Sequence, residues 1–147
     1  MHSEHISNLH PGWVAVGWLV AVAVSAVVFL ALVGTGLLPA VGAGETIGSV
    51  VALLLGFFAG GFFVGLRWSD APVLHGVAIT VLSVLVWLLG LLLVPGPLSV
   101  GMPVGEAVVV LGAILVQLVA SVAGGLTGRL LVLRGRTPDP AALPSEA

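Results

Sequence analysis

The sequence predicts an all-α integral membrane protein: a four-helix bundle made of two tandem helical hairpins. Three observations carry this. First, of 147 residues 59% are hydrophobic and 7% charged, with a mean hydropathy of +1.28, whereas ordinary globular chains carry roughly a quarter charged residues. Second, the apolar residues fall into four unbroken runs, each long enough for the ~20 residues that cross a hydrocarbon core of about 30 Å. Third, the second run, GSVVALLLGFFAGGFFVGLR, places Gly48, Ala52, Gly56 and Gly60 at four-residue spacing. That spacing aligns small residues on one face of a helix, where another backbone can approach closely in lipid. A β-barrel would need alternating strands of about ten residues. Within lipid, a helix satisfies all its own backbone polar groups.

The first helix is expected over about 13–33, with Pro11 suited to a first helical position and Gly34, Gly36 and Pro39 ending it. Val41-Gly42-Ala43 has the small residues of a cleavage site. The run before it exceeds a usual signal-peptide core of about 7–15 residues, and no Lys or Arg precedes it, so the segment reads as a retained transmembrane helix. The second helix is expected over about 46–68. Ser69-Asp70-Ala71-Pro72 forms a turn, and the third helix follows over about 73–93. Pro95-Gly96-Pro97 stops it, Gly101, Pro103 and Gly105 keep the next loop irregular, and the fourth helix spans about 106–133. From 134 onward, Pro138, Pro140 and Pro144 mark a polar tail.

The only basic residues are Arg67, Arg129, Arg134 and Arg136. Arg67 lies at the second-to-third turn and the others at the C-terminal end. The positive-inside rule therefore puts both termini and that turn in the cytoplasm, with Trp13 and Trp68 at the same interface. The expected location is a bacterial inner membrane. Without a basic run, nucleic acid has no electrostatic footprint to bind. The chain has no cysteine, which excludes disulfides, thiolate catalysis and cysteine-held metals or clusters. It contains no nucleophile elbow, HExxH or Walker A loop, and Gly60, Gly61 and Gly65 lack the strand context of a dinucleotide fingerprint. No enzymatic activity is expected.

The halves echo each other. His10 and His75 are 65 residues apart, Glu45 and Glu106 61, Ala59 and Ala123 64, and Arg67 and Arg129 62. A duplicated hairpin predicts parallel repeats about a pseudo-two-fold along the membrane normal. The second and fourth helices then lie nearest the axis, small face against small face. The expected packing residues are Gly48, Ala52, Gly56, Gly60, Gly61 and Gly65 on one helix and Gly112, Ala120, Gly124 and Gly128 on the other, with Val116 interrupting the second series.

Few side chains are candidates for chemistry. Gln117 lies twelve residues before Arg129, about 18 Å along a helix. Ser25 lies twelve residues beyond Trp13, at a similar depth. A hydrogen bond between them is the expected role, and a polar lining for a solute path the alternative. Glu45 and Glu106 open helices, where the backbone dipole favours acid; a cation between them is the alternative. His75 reads as an interfacial histidine. A metal, haem or chlorophyll-type ligand at His75 is the weaker candidate, since neutral imidazole is a common metal ligand. No cofactor is otherwise expected. His2, His5 and His10 match no known metal spacing.

The pattern Ala59-Gly60-Gly61, Gly65, Arg67, then His75-Gly76 resembles that of small four-helix bacterial membrane proteins of unknown function. In these a glycine-rich second helix ends in a basic residue and a His-Gly pair opens the third. The resemblance covers roughly residues 48–95 and implies the four-helix topology. Relatives of that kind carry more lysine and arginine in the turn than the single Arg67 here. The expected function is a non-catalytic accessory or structural subunit, packing against lipid, other membrane proteins or itself. The alternative is a small pore or carrier for an ion or small solute.

Overall fold

The computed structural model describes residues 9–39, 41–67, 71–93 and 104–135, apart from the side chains at 104 and 106. Four α-helices follow in order: α1 (Pro11–Gly34), α2 (Ala43–Arg67), α3 (Pro72–Leu93) and α4 (Val104–Gly135). All four are long and apolar enough to span a membrane, with mean hydropathies of 2.7, 2.3, 2.6 and 2.4 over their candidate spans. The chain is an all-helical membrane-spanning bundle. His2, His5, Trp68, the 69–70 turn, the Pro95-Gly96-Pro97 stop, the Glu106 carboxylate, Arg136 and the proline-rich tail lie outside the described residues.

The helix ends follow local chemistry. Pro11 stands in the first turn of α1, where its missing N–H is no loss. The His10 carbonyl accepts the N–H groups of Trp13 and Val14 at 3.0 and 3.1 Å. Past the end of α1, the Thr35 hydroxyl donates to the Ala31 carbonyl at 2.6 Å. Gly36 then turns the chain at φ +72° and Gly42 does so again at φ +70°, a left-handed conformation open to glycine at little cost. Glu45 falls in the first turn of α2 and Arg67 in its last, each at the dipole end that favours its charge.

The helix α2 is central: 39% of its span is buried, against 11–17% in the other three. It runs antiparallel to α1 and parallel to α4, and α3 packs chiefly along α4 while also touching α1. Small faces of α2 and α4 do meet, but through Gly61 and Gly65 and not through the whole expected series. The stripe with four-residue spacing turns to α1 instead. A Cβ on Gly60 would fall on the Gly17 carbonyl and lie 2.9 Å from the Ala21 Cβ. One on Gly56 would meet the Ser25 hydroxyl and backbone, and Gly48 faces the Phe29 ring at 3.5 Å. Gly61 and Gly65 face α4, where a Cβ would fall on the carbonyls of Ser121 and Gly125. The reason is helical geometry: residue 61 sits about 100° around from residue 60, so two adjacent glycines open two faces. Across that contact, Gly124 and Gly128 admit the Phe58 and Phe62 carbonyls. Gly112, by contrast, has nothing within 4 Å of a would-be Cβ; it lies where α4 has diverged and is not a packing residue.

The bundle is tight at the end bearing the arginines and open at the other. Buried residues of α1 are Val14, Gly17 and Ala21, and those of α3 run from Pro72 to Thr80. On α4 they lie between Ala120 and Gly128. Val14, Ala21, Phe57, Val64, Ile79 and Ala120 form the apolar core. Residues 85–93 of α3 are all exposed.

Candidate functional site

Three groups of polar side chains stand out within the spans. The first was not anticipated from the sequence. Ser121 is fully buried and Thr80 nearly so. The Ser121 hydroxyl contacts the Gly76 carbonyl at 2.9 Å, the Leu118 carbonyl at 3.1 Å and the Thr80 hydroxyl at 3.1 Å. The Thr80 hydroxyl also reaches the Gly76 carbonyl at 3.3 Å. This hydroxyl pair ties α3 to α4 where Gly76 lets the helices close: a Cβ there would stand 2.9 Å from the Val122 Cα. The signal was available, since Pro72, Gly76 and Thr80 recur every four residues, as do Gly17, Ala21 and Ser25 on α1.

The second is His75, 1% exposed. Its Nδ1 lies 2.8 Å from the Ala71 carbonyl. A carbonyl only accepts, so Nδ1 carries the proton. The Nε2 lone pair then accepts the His10 backbone N–H at 3.4 Å. These partners suit the tautomer with its proton on Nδ1, and the ring clamps the start of α1 to the start of α3. Both ring nitrogens thus face backbone partners. Among the described residues no three His, Asp or Glu side chains gather for a metal ion.

The third comprises Ser25 and Gln117. The expected hydrogen bond between them does not form: the Ser25 hydroxyl and the Gln117 Oε1 are both buried without a partner, as is the Trp18 indole N–H. Gly61 faces Ser121 and Gly65 faces Gly125, and this offset of 60 puts Gln117 level with Phe57, beside the Gly56 that Ser25 packs against. The residues share a level but lie on different sides of α2.

Clefts open where the helices diverge. One of about 170 Å³ lies between α3 and α4, lined by Ser83, Trp87, Gln117 and apolar Val84, Val110, Ala113 and Ile114. A second, of about 480 Å³, runs between α1 and α2 and reaches α3, with Ser25, Ser49 and Ser83 set among apolar neighbours such as Phe29 and Phe57. A third, about 400 Å³ and wholly apolar, separates α2 from α4 beside Leu54, Phe58 and Val119. None of the three carries an ionisable side chain. In the first two the polar lining is hydroxyl and amide, which can form hydrogen bonds.

The chain matches no protein-family profile, no curated protein and no solved structure. The membrane class rests on the four apolar helices alone.

Proposed function

We infer that this protein is a non-catalytic accessory subunit of a membrane assembly, held in a bacterial inner membrane with both termini cytoplasmic. The resemblance to small four-helix bacterial membrane proteins and the duplicated hairpin belong to the same reading. The observation that carries it is the tightly packed knot in the arginine-end half. Phe57, Val64 and Ile79 are at most 1% exposed there, and the glycine contacts bring backbones together on both sides of α2. A solute would have to part these helices. Intramembrane charges usually mark transport or proton relay; Glu45, Arg67 and Arg134 stand in end turns of their helices, and Arg129 lies six residues before the end of α4. The diverging half instead presents apolar helix faces, including Leu85, Leu88, Leu89 and Leu92 on α3, which suit lipid or another membrane helix.

Extraction of the tagged protein from its native membrane in mild detergent, with the mass of the particle read by light scattering, tests this. An accessory subunit travels in a particle far heavier than its own 14.7 kDa plus detergent. Migration as the bare chain, from membranes where its neighbours stay intact, contradicts the reading.

A further inference from the structure

We propose that the groove between α2 and α4 seats an anionic phospholipid, its phosphate on Arg134 and one acyl chain along Phe62, Phe58 and Ala123. The groove is the apolar one of about 400 Å³, with Leu54 and Phe58 on α2 and Val116, Val119, Ala120 and Ala123 on α4. Helix geometry continues it toward the arginine end. On α4, Thr127 and Arg134 follow Ala123 by four and eleven residues, and eleven residues are three turns to within about 20°. On α2, Phe62 and Leu66 follow Phe58 at four-residue spacing. The Phe58 and Phe62 rings stack with centroids 6.2 Å apart, and the carbonyls of both residues meet α4 at Gly124 and Gly128. One wall is therefore aromatic, and the other is a row of small residues leading to a cation.

Depth and charge identify the occupant. The α4 span runs from Ala107 to Gly135, with Ser121 at its middle. Arg134 lies thirteen residues further on, about 20 Å along the axis. That is beyond the ~15 Å half-thickness of the hydrocarbon core and at the level of lipid head groups. Ala123 and Val119 lie within about 3 Å of the middle, where an acyl chain hung from that phosphate ends. Arg134 is exposed and has no ion-pair partner among the described residues, where Glu45 is the only acidic side chain and stands at the opposite end of α2. A guanidinium takes a phosphate through paired N–H groups, and a head without a cation of its own gains the full attraction. The neighbouring arginines face elsewhere. Gly65 faces α4, and Arg67 is about 200° further round α2. Arg129 shares a helix face with Gly125, which meets Pro72 of α3. The inference is independent of the accessory role.

Electron paramagnetic resonance of spin-labelled lipid tests this on the full chain in phosphatidylcholine vesicles. The vesicles carry a trace of chain-end-labelled phosphatidylglycerol or of equally labelled phosphatidylcholine, and the spectrum gives the fraction of label held by the protein. Phosphatidylglycerol should associate about fivefold more strongly, the worth of one arginine at an anionic head. Arg134→Gln should bring the two lipids to parity, while Arg67→Gln should leave the preference intact. Ala123→Leu, which fills the groove, should lower the held fraction of both. Circular dichroism confirms that each variant is folded. Equal association of the two lipids with the parent would overturn the proposal, as would a preference that survives Arg134→Gln or a held fraction that Ala123→Leu does not lower. Loss of the preference in millimolar inorganic phosphate at constant ionic strength would mark a site for free anions and also overturn it. The chain has no cysteine, so Val119→Cys supplies a sole thiol. Its efficient oxidation to a linked dimer would put a second copy in the groove and overturn the lipid assignment.

Discussion

Adding one methyl group at Gly61 tests the contact between α2 and α4. A Cβ there would fall on the Ser121 carbonyl oxygen, with the carbonyl carbon at 2.8 Å and the Cα at 2.9 Å. Ordinary carbon contacts lie near 3.5–4.0 Å, so the two helices must separate by several tenths of an ångström or more along a parallel contact. The obstacle is backbone, which cannot swing aside as a side chain can. Overpacking of this kind costs about 1–3 kcal/mol. Alanine also brings a helix-propensity gain of up to about 1 kcal/mol over glycine, which would mask part of that cost. Gly112→Ala removes the ambiguity: it makes the same chemical change in a helix, and nothing lies within 4 Å of its Cβ. The difference between the two variants isolates the packing term, about 1–3 kcal/mol against Gly61→Ala. Reversible unfolding in mixed micelles, followed by circular dichroism, reads it. Equal stabilities would refute the reasoning, since α2 and α4 would then not be in backbone contact at Gly61.

Ser121→Ala removes the hydroxyl shared by Gly76, Leu118 and Thr80 and should lower stability in the same assay by about 0.5–2 kcal/mol; no change would mean the pair does not tie α3 to α4. Gln117→Leu should leave stability within about 0.5 kcal/mol of the parent, because its Oε1 has no protein partner to lose. A larger loss would reveal an intramolecular bond. Cysteine introduced at Ser99 should react with an impermeant thiol reagent added to intact cells, and one at Ser69 should not; the reverse pattern would invert the orientation drawn from the arginines.

The sequence revealed the helices well and their faces poorly, for one physical reason. Polarity marks where a span ends, so Pro11, Gly36, Glu45 and Arg67 located the helix ends to within a few residues. Lipid and protein core are both apolar, so no amphipathic stripe tells which side of a span turns inward. Small residues are the remaining cue, and they are ambiguous wherever two occur in succession. Gly60 and Gly61 serve α1 and α4 respectively, while the stripe alone suggested one partner. Gly112 followed the spacing of Gly124 and Gly128 but lies beyond the point where α4 leaves the bundle, which depends on how the helices cross. Ser25 and Gln117 were matched by depth alone, and depth does not specify angle around the bundle. Thr80 and Ser121 were overlooked because a hydroxyl stands out less than an amide, although each shares its helix face with a close-approach glycine.

The central claim is that the arginine-end half is a closed, tightly packed knot without a route for solute, and flux through the purified protein in sealed proteoliposomes tests it most directly. Potassium, proton and neutral-solute leak would be measured against protein-free vesicles at matched lipid composition. The account predicts no excess leak over the empty vesicles for any of the three. A saturable excess that disappears in Gln117→Leu, with that variant folded and inserted to the same extent, would contradict it and make the protein a small carrier.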